Sequence, residues 1–130
     1  MWLFTTFGFF SIVKHHTTPR TFVVRGRIES DLRAARAVCQ ESWPVAHTPD
    51  HDYAWRFDCS PADLGQLLTA AAMSVDYPNF KAAVLRAQGA ERERAYHGVW
   101  ATIADAFLNW GPSTAPRRPR SGPPRRARGR

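Results

Sequence analysis

The sequence predicts an α+β fold: a mainly antiparallel sheet of about four strands, with helices packed on one face. Two observations support this prediction. The N-terminal half contains segments in which apolar and polar side chains alternate, which is typical of strands with one buried face. Later segments repeat apolar residues at helical spacing behind good N-capping residues. The predicted order is strand, strand, strand, helix, strand, helix, helix.

The first two predicted strands form a hairpin in an aromatic segment. Residues Trp2–Val13 include five aromatic side chains and no charged one, and aromatic rings remove large apolar areas from water. We predict strands at Met1–Thr6 and Phe9–His16, joined at Gly8, which tolerates positive φ. The segment is too short to span a membrane as a helix and lacks the basic start of a signal peptide. We therefore expect a cytoplasmic protein with no membrane segment.

Two more strands are predicted at Thr21–Ile28 and Asp52–Cys59. In the first, apolar side chains alternate with Arg25 and Arg27. In the second, Arg56 should point away from the core, while the other face of the strand should meet it. That face consists of Tyr53, Trp55, Phe57 and Cys59.

Helical spacing and capping residues place the helices. Ser30 is expected to cap a helix that ends near Gln40, and the proline-containing segment Glu41–His51 then reads as a loop. The sequence Ser60–Asp63 is a strong helix start, with Ser at the N-cap, Pro at N1 and an acid at N3.

Two helical segments follow a break at Pro78. Asn79 can cap a short helix that ends near Gly89. The last helix is predicted from Ala90 to Asn109, with the charged residues Glu91–Arg94 in solvent. Its apolar side chains should face inward and are Tyr96, Val99, Trp100, Ile103 and Phe107.

The positive charge of the chain is concentrated at its C-terminus. The net charge is +7, yet residues 1–110 contain eleven basic and eleven acidic side chains. We predict a single compact domain over residues 1–110 and a disordered Pro/Arg-rich tail over 111–130. The tail is expected either to bind nucleic acid weakly and in a salt-sensitive way, or to be an extension that reflects GC-rich codon usage. Its arginines are Arg117, Arg118, Arg120, Arg125, Arg126, Arg128 and Arg130.

Several motifs resemble those of a family of short bacterial proteins. They are Met1–Thr5 with Gly8–Val13, Asp76–Lys81 (DYPNFK) and Tyr96–Trp100 (YHGVW). The resemblance covers most of residues 1–108. Because that family has no assigned activity, the resemblance implies a compact α+β fold and no mechanism.

One loop contains residue types that ligate metals. His47, Asp50 and His51 could supply part of a divalent site, which would need a further ligand from elsewhere in the chain. The candidates for that ligand are Cys39, Cys59 and His15. His15 and His16 should point to opposite faces of a strand. We expect both cysteines to be buried, reduced thiols, and we expect no cofactor.

Arg25, Arg27 and Arg56 should emerge on the open face of the sheet. They form either an anion-binding surface, since guanidinium fits phosphate and carboxylate, or a solvated face neutralised by Asp58 and Glu29. The aromatic side chains of these strands are expected to point into the core. A stacking platform for nucleic acid is therefore not predicted.

No nucleophile elbow or phosphate-binding glycine loop is present in the sequence. The predicted function is a non-catalytic protein-binding or regulatory module, which contacts a partner or a second copy of itself. The aromatic excess points to exposed Trp43, Trp2 and Trp110 as contacts. The alternative is a small metal-dependent enzyme that uses the loop from His47 to Asp52.

Overall fold

The computed structural model describes residues 1–108, which form a five-stranded sheet and four helices. The strands are β1 (Trp2–Phe4), β2 (Phe9–Lys14), β3 (Phe22–Gly26), β4 (Ala46–His47) and β5 (Trp55–Cys59). The helices are α1 (Glu29–Cys39), α2 (Pro61–Met73), α3 (Phe80–Gln88) and α4 (Ala90–Leu108). The predicted α+β class is confirmed. The predicted boundary at residue 110, Trp110 and the tail lie outside the described residues.

The sheet is antiparallel throughout, with the strand order β1-β2-β3-β5-β4. The strand predicted at Asp52–Cys59 begins later than expected, at Trp55, and lies between β3 and β4. β4 was not predicted, because its two residues fall in the expected loop Glu41–His51. Only their pairing with β5 defines them as a strand.

One face of the sheet packs on α1 and α2. Alternate side chains of β2, β3 and β5 meet Leu32 of α1 and Leu67 of α2 in a continuous buried cluster. The largest fully buried side chains are Phe10, Phe57, Leu32, Leu67, Val24 and Val84. Burial of this apolar surface is the main stabilising contribution to the fold.

The helix starts follow the predicted caps in two cases and depart from them in one. At α2, Ser60 Oγ accepts a hydrogen bond from the Asp63 amide (3.2 Å), and Asp63 Oδ2 accepts one from the Ser60 amide (2.8 Å). Asn79 caps α3 through the Ala82 amide. Helix α1, in contrast, begins at Glu29 rather than after Ser30, and its N-cap residue Ile28 makes no side-chain capping bond.

The turn between β1 and β2 needs glycine for a different reason than expected. Gly8 does not adopt positive φ. A Cβ at this position would lie 2.7 Å from Cζ of Phe10 and 2.9 Å from Cβ of Asp31. The turn itself is held by Thr5 Oγ1, which accepts from the Gly8 amide at 2.9 Å. Close packing therefore requires the missing side chain.

The chain divides by its contacts into residues 1–97 and residues from 98 onward, so that α4 belongs to both parts. Within the first part, Tyr96 packs edge-on against Phe4 (5.1 Å between ring centroids) and parallel to Phe80 (5.9 Å). No residue of α4 is fully buried. Contrary to the predicted inward stripe, Trp100 and Phe107 are more than half exposed. Among the described residues, no helix is long and apolar enough to cross a membrane.

Candidate anion-binding face of the sheet

The sheet face opposite α1 and α2, here called the open face, carries one continuous cross-strand row. In this row Trp2 lies opposite Ser11, Ser11 opposite Arg25, and Arg25 opposite Arg56. Arg27 lies two residues beyond Arg25 on β3, so the pleat places it on the same face. The structure thus brings all three candidate arginines to one surface.

Arg25 and Arg56 face each other, and no carboxylate of residues 1–108 forms an ion pair with either. Arg25 Nη2 donates to Ser11 Oγ (2.8 Å), and Arg56 Nη2 donates to the backbone oxygen of Tyr53 (3.0 Å). The Nε atom of each arginine is buried and has no hydrogen-bond partner among the described residues. Like charges directly opposite on paired strands destabilise a sheet, and a buried unpaired donor adds to that cost.

Arg27 is neutralised, but by a residue that the sequence did not single out. Its guanidinium forms a two-pronged ion pair with Asp52, with N–O distances of 2.9 and 3.0 Å. The expected neutralising residues have other partners: Glu29 pairs with Arg33, and Asp58 lies 3.8 Å from Nε2 of His15. The charge of Arg25 and Arg56 is therefore left uncompensated within residues 1–108.

Tyr53 lies on the open face, although the alternation predicted it to face the core. Because β5 begins only at Trp55, the chain before it does not follow the pleat of the strand. The guanidinium carbons of Arg25 and Arg27 lie 5.0 and 4.9 Å from the centre of the Tyr53 ring. Such cation–π contacts hold the two guanidiniums in place without neutralising them.

Aromatic rings continue from Tyr53 towards β1. Phe9 lies 6.3 Å from Tyr53, stacks on Phe4 at 4.5 Å and meets Trp2 edge-on at 6.0 Å, measured between ring centroids. On β3 and β5 the aromatic side chains Phe22, Trp55 and Phe57 lie in the core or pack against it, as expected, and only Tyr53, which precedes β5, does not. The other rings on the open face come from the β1–β2 hairpin. The hairpin carries Phe9 and Phe10 in succession, and successive residues of a strand point to opposite faces.

Trp43 and Trp2, two of the residues named as partner contacts, have different environments. Trp43 was expected to be exposed in its loop, but it is 9% exposed and stacks on Phe57 at 4.7 Å. A large ring gains more by covering the core than by remaining in water. Trp2 is 62% exposed on the open face and is available to a ligand.

His15 and His16 do not point to opposite faces as predicted. Strand β2 ends at Lys14, and the two rings stack with centroids 5.0 Å apart. Nδ1 of His15 accepts hydrogen bonds from the amides of Thr17 and Thr18, at 3.2 and 3.0 Å. His15 therefore has a structural role in the turn.

The candidate metal residues are not brought together. His47 stacks on Trp55 at 4.0 Å, while Asp50 and His51 lie in the exposed turn that follows β4. Within residues 1–108, no three His, Cys, Asp or Glu side chains are placed to share a metal ion. The loop therefore adds no support for the alternative of a metal-dependent enzyme.

The two cysteines, Cys39 and Cys59, are free and buried. Desolvation by burial, with smaller contributions from Asp63 and Asp58, raises the pKa of the Cys59 thiol to about 11. Burial and Glu41 also raise the pKa of Cys39. A thiol of raised pKa is a weak nucleophile and a weak metal ligand at neutral pH.

The sequence did not reveal an ion pair between Asp31 and Arg92. The guanidinium donates to both carboxylate oxygens at 2.8 Å, and the Phe9 amide donates to Oδ2 at 3.0 Å. The hydrogen bond to Asp31 is the main cause that raises the pKa of Arg92. The expectation that Glu91–Arg94 would be solvated is therefore wrong at Arg92. The two partners are 61 positions apart, and no local pattern indicates such a pair.

Comparisons with protein families, with curated proteins and with solved structures found no match to this chain.

Proposed function

We propose that this chain is a non-catalytic binding module that holds an anionic ligand, supplied by a partner macromolecule, on the open face of its sheet. The observation that supports the proposal is the pair formed by Arg25 and Arg56. Two guanidiniums face each other on adjacent strands, and among residues 1–108 their hydrogen bonds go to neutral acceptors, the Ser11 hydroxyl and the Tyr53 carbonyl.

An anion seated beside this pair removes the electrostatic cost that the pair imposes on the free protein. Guanidinium presents several N–H donors in one plane and matches the oxygens of phosphate or carboxylate in a two-pronged arrangement. The remaining hydrogen bonds, to Ser11 and to the Tyr53 carbonyl, restrict the movement of the side chains before the ligand arrives. Restricting donors in advance lowers the entropic cost of binding.

The basic tail adds a second, less specific contribution in this proposal. Its seven arginines, all beyond residue 110, attract an anionic partner by counterion release, which weakens as salt increases. The open face then supplies the part of the affinity that depends on shape.

The proposal predicts that small oxyanions stabilise the fold through Arg56. Sulfate or phosphate should raise the melting temperature of the full chain by a few degrees relative to chloride at equal ionic strength. Arg56→Gln should lose most of that increase, because it removes one member of the pair. The measurement is a thermal melt followed by circular dichroism.

The charge-matched control is Arg86→Gln, which removes an exposed arginine from α3. This variant should retain the increase. An equal oxyanion effect in both variants would show that the anions act by general salt exclusion, and would contradict the proposal.

A further inference from the structure

We infer that the anionic ligand is a single-stranded nucleic acid, which crosses the open face along the row from Trp2 to Arg56. This inference rests on the proposed function and specifies its ligand. It depends on a second feature of the open face, the aromatic rings that accompany the arginines.

The row places a stacking surface and two phosphate-binding groups on one line. Trp2 on β1 is 62% exposed, and it is followed across the sheet by Ser11, which is buried, and then by Arg25 and Arg56, which are both partly exposed. Adjacent strands lie about 4.8 Å apart, so Trp2 and Arg56 are separated by about 14 Å. That distance suits a ligand of roughly two or three nucleotides, the number that sheet platforms stack.

A parallel row of rings broadens the surface. Phe4 and Phe9 lie opposite each other in the β1–β2 pair, and Tyr53 continues the series beside Arg25 and Arg27. All three residues are partly exposed. Part of their ring surface is already covered, since Phe4 and Phe9 stack on each other, Phe4 also contacts Tyr96, and two guanidiniums lie over Tyr53. A base can stack on such rings whatever its identity, because every base has a π-face, while the sugar–phosphate chain follows the guanidiniums.

The same features disfavour a duplex and an acidic polypeptide as the ligand. In a duplex the bases are stacked on one another and paired, so they cannot stack on Trp2, and only the phosphate contacts would remain. The acidic side chains of a polypeptide can neutralise Arg25 and Arg56, but they bring no flat group to the rings, whereas every nucleotide carries both a phosphate and a base. The combination of exposed rings and unneutralised guanidiniums therefore fits unpaired nucleotides best.

The inference is tested by fluorescence anisotropy with the full chain at physiological ionic strength. The probes are a labelled ten-nucleotide single strand as DNA and as RNA, the corresponding duplex, polyphosphate and a poly-glutamate peptide. We expect both single strands to bind more tightly than the other three probes. A difference between the DNA and RNA arms identifies which sugar the open face prefers.

Two matched pairs of variants assign the binding to the open face. The first pair compares two double variants. Arg25→Gln/Arg56→Gln changes the open face, and Arg86→Gln/Arg94→Gln removes the same charge from exposed helical positions. Trp2→Ala is compared with Trp100→Ala, since Trp100 is similarly exposed on α4, at 58%. The open-face variants should each weaken single-strand binding roughly tenfold, and the control variants by less than about twofold.

The outcomes separate the two proposals. The nucleic-acid inference is overturned, and the anion-binding function stands, in either of two cases. In the first, the open-face arginine variant weakens the binding of all anionic probes while Trp2→Ala leaves binding unchanged. In the second, poly-glutamate binds as tightly as the single strand. If the open-face arginine variant binds every probe as its control does, both proposals fail. A check on the unmodified chain is the NMR shift of the Trp2 indole N–H, which should move on adding the single strand more than that of Trp100.

Discussion

At the scale of single residues, Asp31 and Arg92 form an ion pair that is largely removed from solvent. The side chain of Asp31 is 5% exposed and that of Arg92 is 17% exposed, whereas Arg27 and Asp52 form an ion pair in which both are more than half exposed. Removing one member of a buried pair leaves the other charge desolvated, which costs far more than opening a solvated pair.

We therefore expect Asp31→Asn to lower the free energy of unfolding by about 3 kcal/mol. The matched change Asp52→Asn should cost less than about 1 kcal/mol. Urea denaturation of both variants measures the difference. A loss of less than about 1 kcal/mol for Asp31→Asn would mean that its contacts with Arg92 and the Phe9 amide do not stabilise the fold.

The position of some open-face residues follows from the sequence pattern, and that of others does not. The open-face position of Arg25, Arg27 and Arg56 follows from period-two alternation and could be predicted. The position of Tyr53 could not be predicted. The apolar–polar alternation of the sequence already includes Tyr53, whereas strand pairing begins only two residues later, at Trp55. The pair of Asp31 with Arg92 depends on tertiary packing alone, and the charged start of α4 gives no local sign that one of its residues is partly buried.

At the scale of elements, the start of α2 shows how a local sequence can determine local structure. Ser60 and Asp63 are three positions apart in the sequence and exchange hydrogen bonds. The cap could therefore be predicted without knowledge of the fold. β4 is the opposite case, since nothing in its two residues indicates a strand.

The cap also predicts a dependence of stability on pH. Hydrogen bonds from the Ser60 backbone, and then from its side chain, lower the pKa of Asp63. A carboxyl whose pKa is lower in the folded than in the unfolded state stabilises the fold above its unfolded pKa, and this contribution is lost as pH falls through the folded value. Asp63→Asn should thus cost about 0.5–1 kcal/mol at neutral pH, and the cost should shrink below about pH 4.

Chemical denaturation of the wild type and of Asp63→Asn at several pH values provides the measurement. Asp50→Asn, in an exposed turn, controls for the loss of one negative charge. A cost for Asp63→Asn that stays constant from neutral to acid pH would show that the ionised cap does not contribute.

At the scale of the whole molecule, the two ends of the chain should differ in their importance for folding. β1 pairs with β2 along its full length, and Phe4 joins it to Phe9 and Tyr96. Removal of residues 1–6 should therefore abolish the cooperative thermal transition. Removal of residues 112–130 should change the melting temperature by no more than about two degrees, while lowering retention on immobilised nucleic acid at low salt.

Thermal melts and salt-dependent retention of the two shortened chains provide the test. A chain that lacks residues 1–6 but still melts cooperatively near the wild-type temperature would mean that the hairpin is dispensable. Unchanged retention after removal of 112–130 would mean that the tail does not contribute to anion binding.

The contacts of the β1–β2 turn also bear on how the chain folds as it is made. The Thr5 carbonyl accepts a hydrogen bond from Gln88, 83 positions later, and Asp31 holds the Phe9 amide together with Arg92. A ribosome adds roughly 5–20 residues per second, so the nascent hairpin waits on the order of ten seconds for these partners. Until α4 emerges, the most aromatic segment of the chain lacks its final contacts, and we expect it to be most prone to aggregation during that interval.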